Sequence, residues 1–330
     1  MFEDIFLKGY LVFVRQSLEF IARDKLSVFL FHKVPKVRDA LLPTDVDQVR
    51  FCEMLGFIER HFVIYPLADA VRLLKANRLP KRCAAITFDD GYADWRDGVG
   101  KVLEAKSIPA TFFITSGQFF GRPMWHERLA NVVRSFTGLR LENPALKLPA
   151  LPTETLDQKV QTLQALEFHF KYLPPVARDV FLHQLEESVG TSAAKVPVMS
   201  KEDLIAISNA GFEIGAHTDD HPILSLCDGE RAVREIAQTR EILEGIIKRP
   251  VTSFAYPNGR PGVDFSYRHI EMVKAAGYDY AVTTQWGVGR PDSSPYQIPR
   301  FTPWGLSMGH MSWQLLRNLY SKQESLKEQR

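Results

Sequence analysis

The strongest constraint in this chain is an alternation that runs from residue 26 to residue 301. Short apolar runs at 26–33, 62–65, 84–88, 111–115, 212–216, 252–256, 279–284 and 297–301 have the length and residue types of buried strands. Helical periodicity fills 46–60, 67–76, 230–248 and 265–276, and extends over 93–106 despite Gly98 and Gly100. Strands that alternate with helices imply βα units around a parallel sheet, and continuous apolar strands imply a sheet covered on both faces. Seven or eight such strands predict an α/β fold that is a closed or nearly closed barrel. In such a barrel, functional residues gather at the C-terminal ends of the strands.

Residues 123–199 break the rhythm. The stretch 141–152 is rich in Pro and Leu and reads as irregular, while 155–172 and 174–189 read as helices. The expectation is a helical insertion at 123–199 within a barrel of residues 26–304, serving as an elaborated connection or as a lid or substrate wall. Ser200, with Asp203 three residues on, is a helix N-cap signal where the alternation resumes. A C-terminal helical tail occupies 305–330, its last residues from 321 of mixed charge and expected to fray. Residues 1–25 read as an amphipathic helix. It is too short and interrupted to span a bilayer, and lacks the basic start and cleavage site of a signal peptide. Packing on the body is the favoured role. Peripheral contact with a membrane surface is the other, and the oligomeric state is left open.

A net charge of +2 argues against a nucleic-acid partner. Cys52, Cys83 and Cys227 are scattered and odd in number, so neither a disulfide framework nor a thiolate metal site is implied. With no secretory signal in view, the expectation is a cytoplasmic enzyme, free or peripheral to the inner membrane face.

The chemistry sits at strand ends. Thr87-Phe88-Asp89-Asp90-Gly91-Tyr92 places adjacent carboxylates after one apolar run, and His217-Thr218-Asp219-Asp220-His221 places two imidazoles four residues apart after another. A DG pair alone is a common turn, and a lone His is more often structural. Together, one carboxylate and two histidines form an open three-ligand site suited to Zn²⁺, and the neighbouring carboxylate is free to take a proton. His32 and Pro257 also fall at or just past strand ends.

These two motifs, followed by Phe254-Ala255-Tyr256-Pro257-Asn258-Gly259, resemble the polysaccharide deacetylases, the NodB-homology enzymes of carbohydrate esterase family 4. The resemblance covers roughly residues 26–304 apart from the insertion. It implies a distorted (β/α)7 barrel, a divalent metal (zinc first, with cobalt, nickel or manganese able to serve), and removal of acetyl groups from an N-acetylated glycan. By position it implies Asp89 as general base and Asp90, His217 and His221 as metal ligands, with a backbone N–H near Asn258 facing the oxyanion.

The chain departs from the common pattern twice. No arginine precedes Tyr256-Pro257, and no C-terminal Leu-x-His motif is evident; His310 follows no apolar strand. The chain is similar here to the circularly permuted poly-N-acetylglucosamine deacetylases, whose acid histidine lies on an N-terminal strand. Phe29-Leu30-Phe31-His32 matches that context and makes His32 the candidate acid, against a merely structural histidine. Arg300, in Ile298-Pro299-Arg300-Phe301, is the candidate for orienting Asp89, against a surface arginine. Tyr256, Pro257, Asn258, Trp286 and Trp125 are candidate substrate contacts, with His126 and Trp304 as further sugar-facing positions. The leading reading is a metal-dependent N-deacetylase acting on N-acetylhexosamine units of a polysaccharide or its lipid-linked precursor. An esterase or amidase of the same fold and a catalytically silent glycan-binding protein are the alternatives.

Overall fold

Each apolar run ending in a polar residue becomes a strand of one parallel sheet. The computed structural model describes residues 22–144, 148–190, 198–303, 308–321, 323 and 325–328. The strands are β1 (Ser27–Phe31), β2 (Val63–Ile64), β3 (Cys83–Asp90), β4 (Thr111–Ile114), β7 (Glu213–Ala216), β8 (Ser253–Ala255) and β9 (Tyr280–Val282); β5 and β6 lie in the insertion. They run in the order β1-β3-β4-β7-β8-β9, with β2 beside β3, and every pair is parallel.

The predicted strand at 297–301 takes a different form. Pro295–Gln297 is a 3₁₀ turn, and the extended residues beyond it bridge β9 to β1. Ile298 N donates to Ala281 O at 3.0 Å, and Phe301 N donates to Val28 O at 2.7 Å. Proline at 299 offers no N–H, which keeps the segment from becoming a longer ladder. These bonds close the curled sheet into a distorted (β/α)7 barrel.

Strand alternation sorts the core into two compartments. Ala84, Ile86, Phe88, Phe112 and Ile114 pack under the surrounding helices, whereas Cys83, Ala85, Phe113, Tyr280 and Ile298 pack together with Leu67, Ala70, Val71 and Leu74 of helix Leu67–Lys75. Successive side chains on a strand point to opposite faces, so both faces must be apolar when both are covered. Helices Gln48–His61, Lys201–Asn209, Gly229–Ile247 and Tyr267–Ala275 complete the outer layer, and a π-helical turn, Trp95–Gly100, leads into the short helix Lys101–Ala105. The N-cap signal at Ser200 and Asp203 is a reciprocal capping box.

Residues 125–189 hold helices Trp125–Ser135, Leu156–Lys171 and Pro175–Val189 around a core of their own, which includes Leu129, Val133, Leu163, Leu166, Phe170, Leu182 and Leu185. The stretch expected to be irregular contains an antiparallel hairpin, β5 (Arg140–Asn143) with β6 (Leu148–Pro152). Its pattern was masked by prolines, which edge strands tolerate. Helix Met308–Tyr320 follows the barrel, and the chain after it does not simply fray: Leu326 N donates to Gln297 Oε1 at 2.8 Å. The expected N-terminal helix at 1–25 lies outside the described residues up to 21; its last residues, 22–24, form a turn, with Ala22 buried in the main core. Among the described residues, no helix is long and apolar enough to cross a membrane.

Phe112 is fully buried and stacks on Phe88 at 4.9 Å, with Trp95 at 4.9 Å and Phe212 at 5.3 Å. Phe112→Ala is expected to cost about 3–5 kcal/mol. Urea denaturation followed by Trp fluorescence measures this.

Candidate active site

β3 delivers Asp89 and Asp90 at its last two positions, and His217 is the first residue beyond β7. On regular extended backbone these adjacent carboxylates would point to opposite faces. Asp90 has φ +96°, outside strand geometry, and this twist turns its carboxylate back to the mouth of the barrel. Asp89, Asp90, His217, His221, His32, Asn258 and Trp125 all line one cavity of about 550 Å³.

Asp89 is gripped by Arg300. Nη1 donates to Oδ1 and Nη2 to Oδ2, both at 2.6 Å, and both residues are buried. The guanidinium is itself fixed by Nε donating to Thr283 O at 3.0 Å and by Nη1 reaching Thr87 Oγ1 at 3.3 Å. The surface-arginine alternative is therefore excluded.

Asp90 Oδ1 lies 3.5 Å from His217 Nε2 and 3.5 Å from His221 Nε2. These separations are too long for good hydrogen bonds, and Asp90 Oδ1 and His221 Nδ1 are buried with no hydrogen-bond partner among the described residues. Three ligand atoms about 2.0–2.2 Å from one ion in tetrahedral array stand roughly 3.3–3.6 Å apart, so the spacing fits a zinc-like ion. The mixed N and O donors fit it too. His217 Nδ1 is 2.8 Å from Ala255 O, which holds its proton there and leaves Nε2 free to ligate. Burial pushes the pKa of His221 well below the usual histidine value, keeping it neutral and ligand-ready. Burial opposes protonation of His217 as well, but the Asp89 and Asp90 carboxylates outweigh it and raise its pKa.

The histidine loop is held in an uncommon shape. Thr218 (φ +63°) and His221 (φ +52°) adopt left-handed backbone, which costs about 1–3 kcal/mol each. Thr218 Oγ1 accepts from His221 N at 3.1 Å, and Glu235 Oε2 accepts from the backbone N–H groups of Asp219 and Asp220 at 3.0 and 2.9 Å. Ser116 Oγ and Arg122 Nη2 donate to the Asp219 carboxylate at 2.6 and 2.5 Å. Gly117 N donates to Asp219 O at 2.8 Å, and a Cβ at Gly117 would come within 2.6 Å of that oxygen. Glycine is required there by close approach.

His32 is the first residue after β1, partly exposed in the cavity wall. Its carbonyl accepts from Trp95 Nε1 at 3.0 Å. Burial lowers its imidazole pKa against the pull of Asp90 and Asp89. Asn258 has φ +58°, and its Nδ2 lacks a partner among the described residues. An unpartnered side-chain amide therefore stands beside the backbone N–H near Asn258 that the sequence suggested. Tyr92 OH meets His126 Nε2 at 3.2 Å in the same wall.

Three expected substrate contacts do not reach the cavity. Tyr256 is fully buried, stacked on Phe265 at 3.9 Å, and Pro257 is buried beside it. Trp286 packs edge-on against Phe301 at 5.1 Å. Trp304 lies outside the described residues. Aromatic side chains next to a motif were claimed by the core, as most are.

In their place the insertion and a preceding loop supply walls that sequence reading missed: Thr44, Asp45, Glu127, Gln164, Glu167, Phe168 and Lys171. A signal existed. In helix Leu156–Lys171 the buried stripe is Thr162, Leu163, Leu166 and Phe170, and Phe168 lies off it, 83% exposed. An aromatic residue on the polar face of an amphipathic helix is what a ligand-facing position looks like.

Two measurements test this geometry. Arg300→Gln leaves a buried carboxylate without its partner and is expected to lower stability by about 3–5 kcal/mol, read from chemical denaturation. Arg300→Lys keeps the charge but not the two-point grip, and should recover only part of that loss. Burial, reinforced by Glu127, raises the pKa of Asp45 from 3.8 to about 7. The folded protein therefore binds an extra proton at Asp45. That stabilisation is complete below about pH 4 and is lost as pH rises through about 7. Asp45→Asn should accordingly flatten the fall in stability over that window, measured by thermal unfolding at successive pH values.

Comparison with known proteins agrees with the site. The family described as Polysaccharide deacetylase matches residues 76–169 and 180–281. YxkH of Bacillus subtilis (strain 168), named for the same family, is 23% identical over 112 residues, a stretch covering 34% of this chain and 39% of that protein's length. The Streptococcus pyogenes deacetylase PplD superposes with a TM-score of 0.59 at 14% identity, covering 90% of this chain and 99% of that one. IcaB from Ammonifex degensii superposes with a TM-score of 0.58 at 16% identity, covering 90% and 98%. At such identities the superpositions speak to the fold, whereas the family match takes in more than half of the chain together with Asp89, Asp90, His217 and His221. On that match this protein belongs to the polysaccharide deacetylase family of hydrolases.

Proposed function

We propose that this protein removes the acetyl group from N-acetylhexosamine units of a glycan, with Asp90, His217 and His221 holding a divalent ion, zinc by preference. The observation that carries the reading is the junction of two constellations in one cavity: an Asp89 carboxylate locked by Arg300 at 2.6 Å, and a three-ligand cluster whose ligand atoms lie within 4.8 Å of one another. His217 Nε2 joins them, 3.8 Å from Asp89 Oδ2.

A zinc ion bound there would polarise the acetamide carbonyl and bring the pKa of water to about 7. The chain's own residues supply the proton traffic. Asp89 takes the proton of the attacking water; Arg300 orients its carboxylate. His32 gives a proton to the nitrogen as the C–N bond breaks; burial lowers its pKa, so its imidazolium is a stronger acid but a less populated one. An N–H at Asn258, whose side-chain amide has no partner among the described residues, would donate to the oxygen that gathers charge, a contribution of the oxyanion-hole kind. Phe168 and Trp125 offer apolar faces for sugar rings at the wall. The name of the structural relative PplD accords with a deacetylase role, and that of YxkH with a polysaccharide substrate.

Acetate release from an N-acetylglucosamine oligomer tests the proposal. Stripping metal should abolish it and zinc should restore it near one equivalent, while Asp89→Asn and His32→Ala each lower kcat by about 10²–10⁴ with the fold intact. Equal acetate release by His32→Ala and the unaltered protein would remove His32 from the mechanism. Failure of the folded, zinc-loaded protein to release acetate from N-acetyl or O-acetyl sugars would overturn the enzyme reading.

A further inference from the structure

A second cavity, of about 430 Å³, lies behind the active site between the barrel and the insertion, and Trp125 lines both. Four arginines border it, and three of them are neutralised. Arg128 grips Glu186 at 2.9 and 2.7 Å, Arg122 reaches Asp220 at 3.1 Å, and Arg231 lies 3.4 Å from Glu235. The fourth, Arg178, is only 3% exposed, and its Nε and Nη1 donate to nothing among the described residues. Its guanidinium carbon lies over the Trp125 ring, 4.9 Å from the centroid, and has no carboxylate within ion-pair distance among the described residues. Asp179 lies next to it in sequence but is directed to Arg128, at 3.8 Å.

A buried cation without a partner is costly unless something completes it. Burial lowers the pKa of Arg178 only to about 10, so the group stays charged at neutral pH. Its guanidinium is a natural partner for a carboxylate or phosphate oxygen, and Trp125 lies against it. The cavity that this unpaired guanidinium borders is therefore the place for an oxyanion.

We propose that this second cavity is an anion subsite, in which Arg178 takes a carboxylate or phosphate carried on the glycan close to the sugar being deacetylated. The anion-binding part stands on the cavity and on Arg178 alone; the glycan part rests on the deacetylase reading. It makes the preferred substrate an acidic glycan or a sugar phosphate rather than a neutral N-acetylglucosamine polymer. Arg178 acts there as a binding residue, one ring away from the reacting centre.

The test uses the zinc-loaded full chain. Calorimetric titration with inorganic phosphate and with glucuronate reads the anion site directly, and dependence on Arg178 separates it from binding at the metal. Acetate release is then compared on a neutral N-acetylglucosamine oligomer, on an oligomer alternating N-acetylglucosamine with glucuronate, and on N-acetylglucosamine 1-phosphate. The expected result is anion binding near one equivalent that Arg178→Gln removes. The variant should also raise KM about tenfold or more for one charged substrate, with kcat and the neutral substrate little changed. Whichever charged substrate responds identifies the source of the oxyanion. Arg178→Lys, which keeps a charge in the fold, should recover part of the binding and serves if the glutamine variant does not fold. Binding that persists in both variants, or no binding of either anion by the folded unaltered chain, would overturn the proposal. So would an equal change in KM for neutral and charged substrates. Arg178-dependent anion binding without acetate release from any substrate would leave the subsite standing and remove the deacetylase reading alone.

Discussion

The two-point ion pair between Arg300 and Asp89 ties the barrel and its site together. Arg300 sits on the segment that bridges β9 to β1, and Asp89 ends β3, so the pair spans the seam where the sheet closes. Desolvating a guanidinium and a carboxylate is expensive, and the pair is sustained because the guanidinium makes four hydrogen bonds, to Thr283 O, Thr87 Oγ1 and both carboxylate oxygens. Thr87 Oγ1 passes the constraint on by donating to Phe29 O at 2.9 Å in β1. Closure of the sheet and orientation of the candidate base are thus one structural event.

Around this anchor the backbone holds strain where the chemistry is. Asp90, Thr218, His221 and Asn258 all have positive φ without being glycine. Such residues persist when neighbours over-determine them. Here Glu235 takes two loop N–H groups, Ser116 and Arg122 hold Asp219, and Gln118 Nε2 donates to the Asp90 carbonyl. The imidazoles and the Asp90 carboxylate meet at 3.5 Å, too long for good hydrogen bonds and suited to an ion between them. Supporting bonds from the barrel and from helix Gly229–Ile247 preorganise the cluster, so an ion need not assemble it.

The insertion gives the site its shape. Its separate apolar core lets it fold as a unit over the barrel mouth, with Trp125, Glu127, Gln164, Glu167 and Phe168 facing the first cavity and Arg178 facing the second. A barrel rim alone could hold the metal ligands. Much of the wall of the first cavity comes from these helices.

The sequence by itself determined the architecture and the chemical centre. Periodicity located the barrel strands, because a covered parallel sheet demands unbroken apolar runs. The spacing of Asp89-Asp90 and His217…His221 placed the donors at strand ends, because a strand's end is fixed once its apolar run is fixed. Tertiary structure alone decided the rest. It turned Asp90 toward the histidines through a left-handed φ and brought Arg300 to Asp89 across 211 positions of sequence. It also buried Tyr256 in the core, packed Trp286 against it, and formed a hairpin at β5 and β6 where prolines suggested irregular chain. These outcomes depend on which side chains meet across the fold. Local pattern carries the period and ends of an element, whereas a partner two hundred residues away is chosen by packing and by the cost of leaving a buried charge alone.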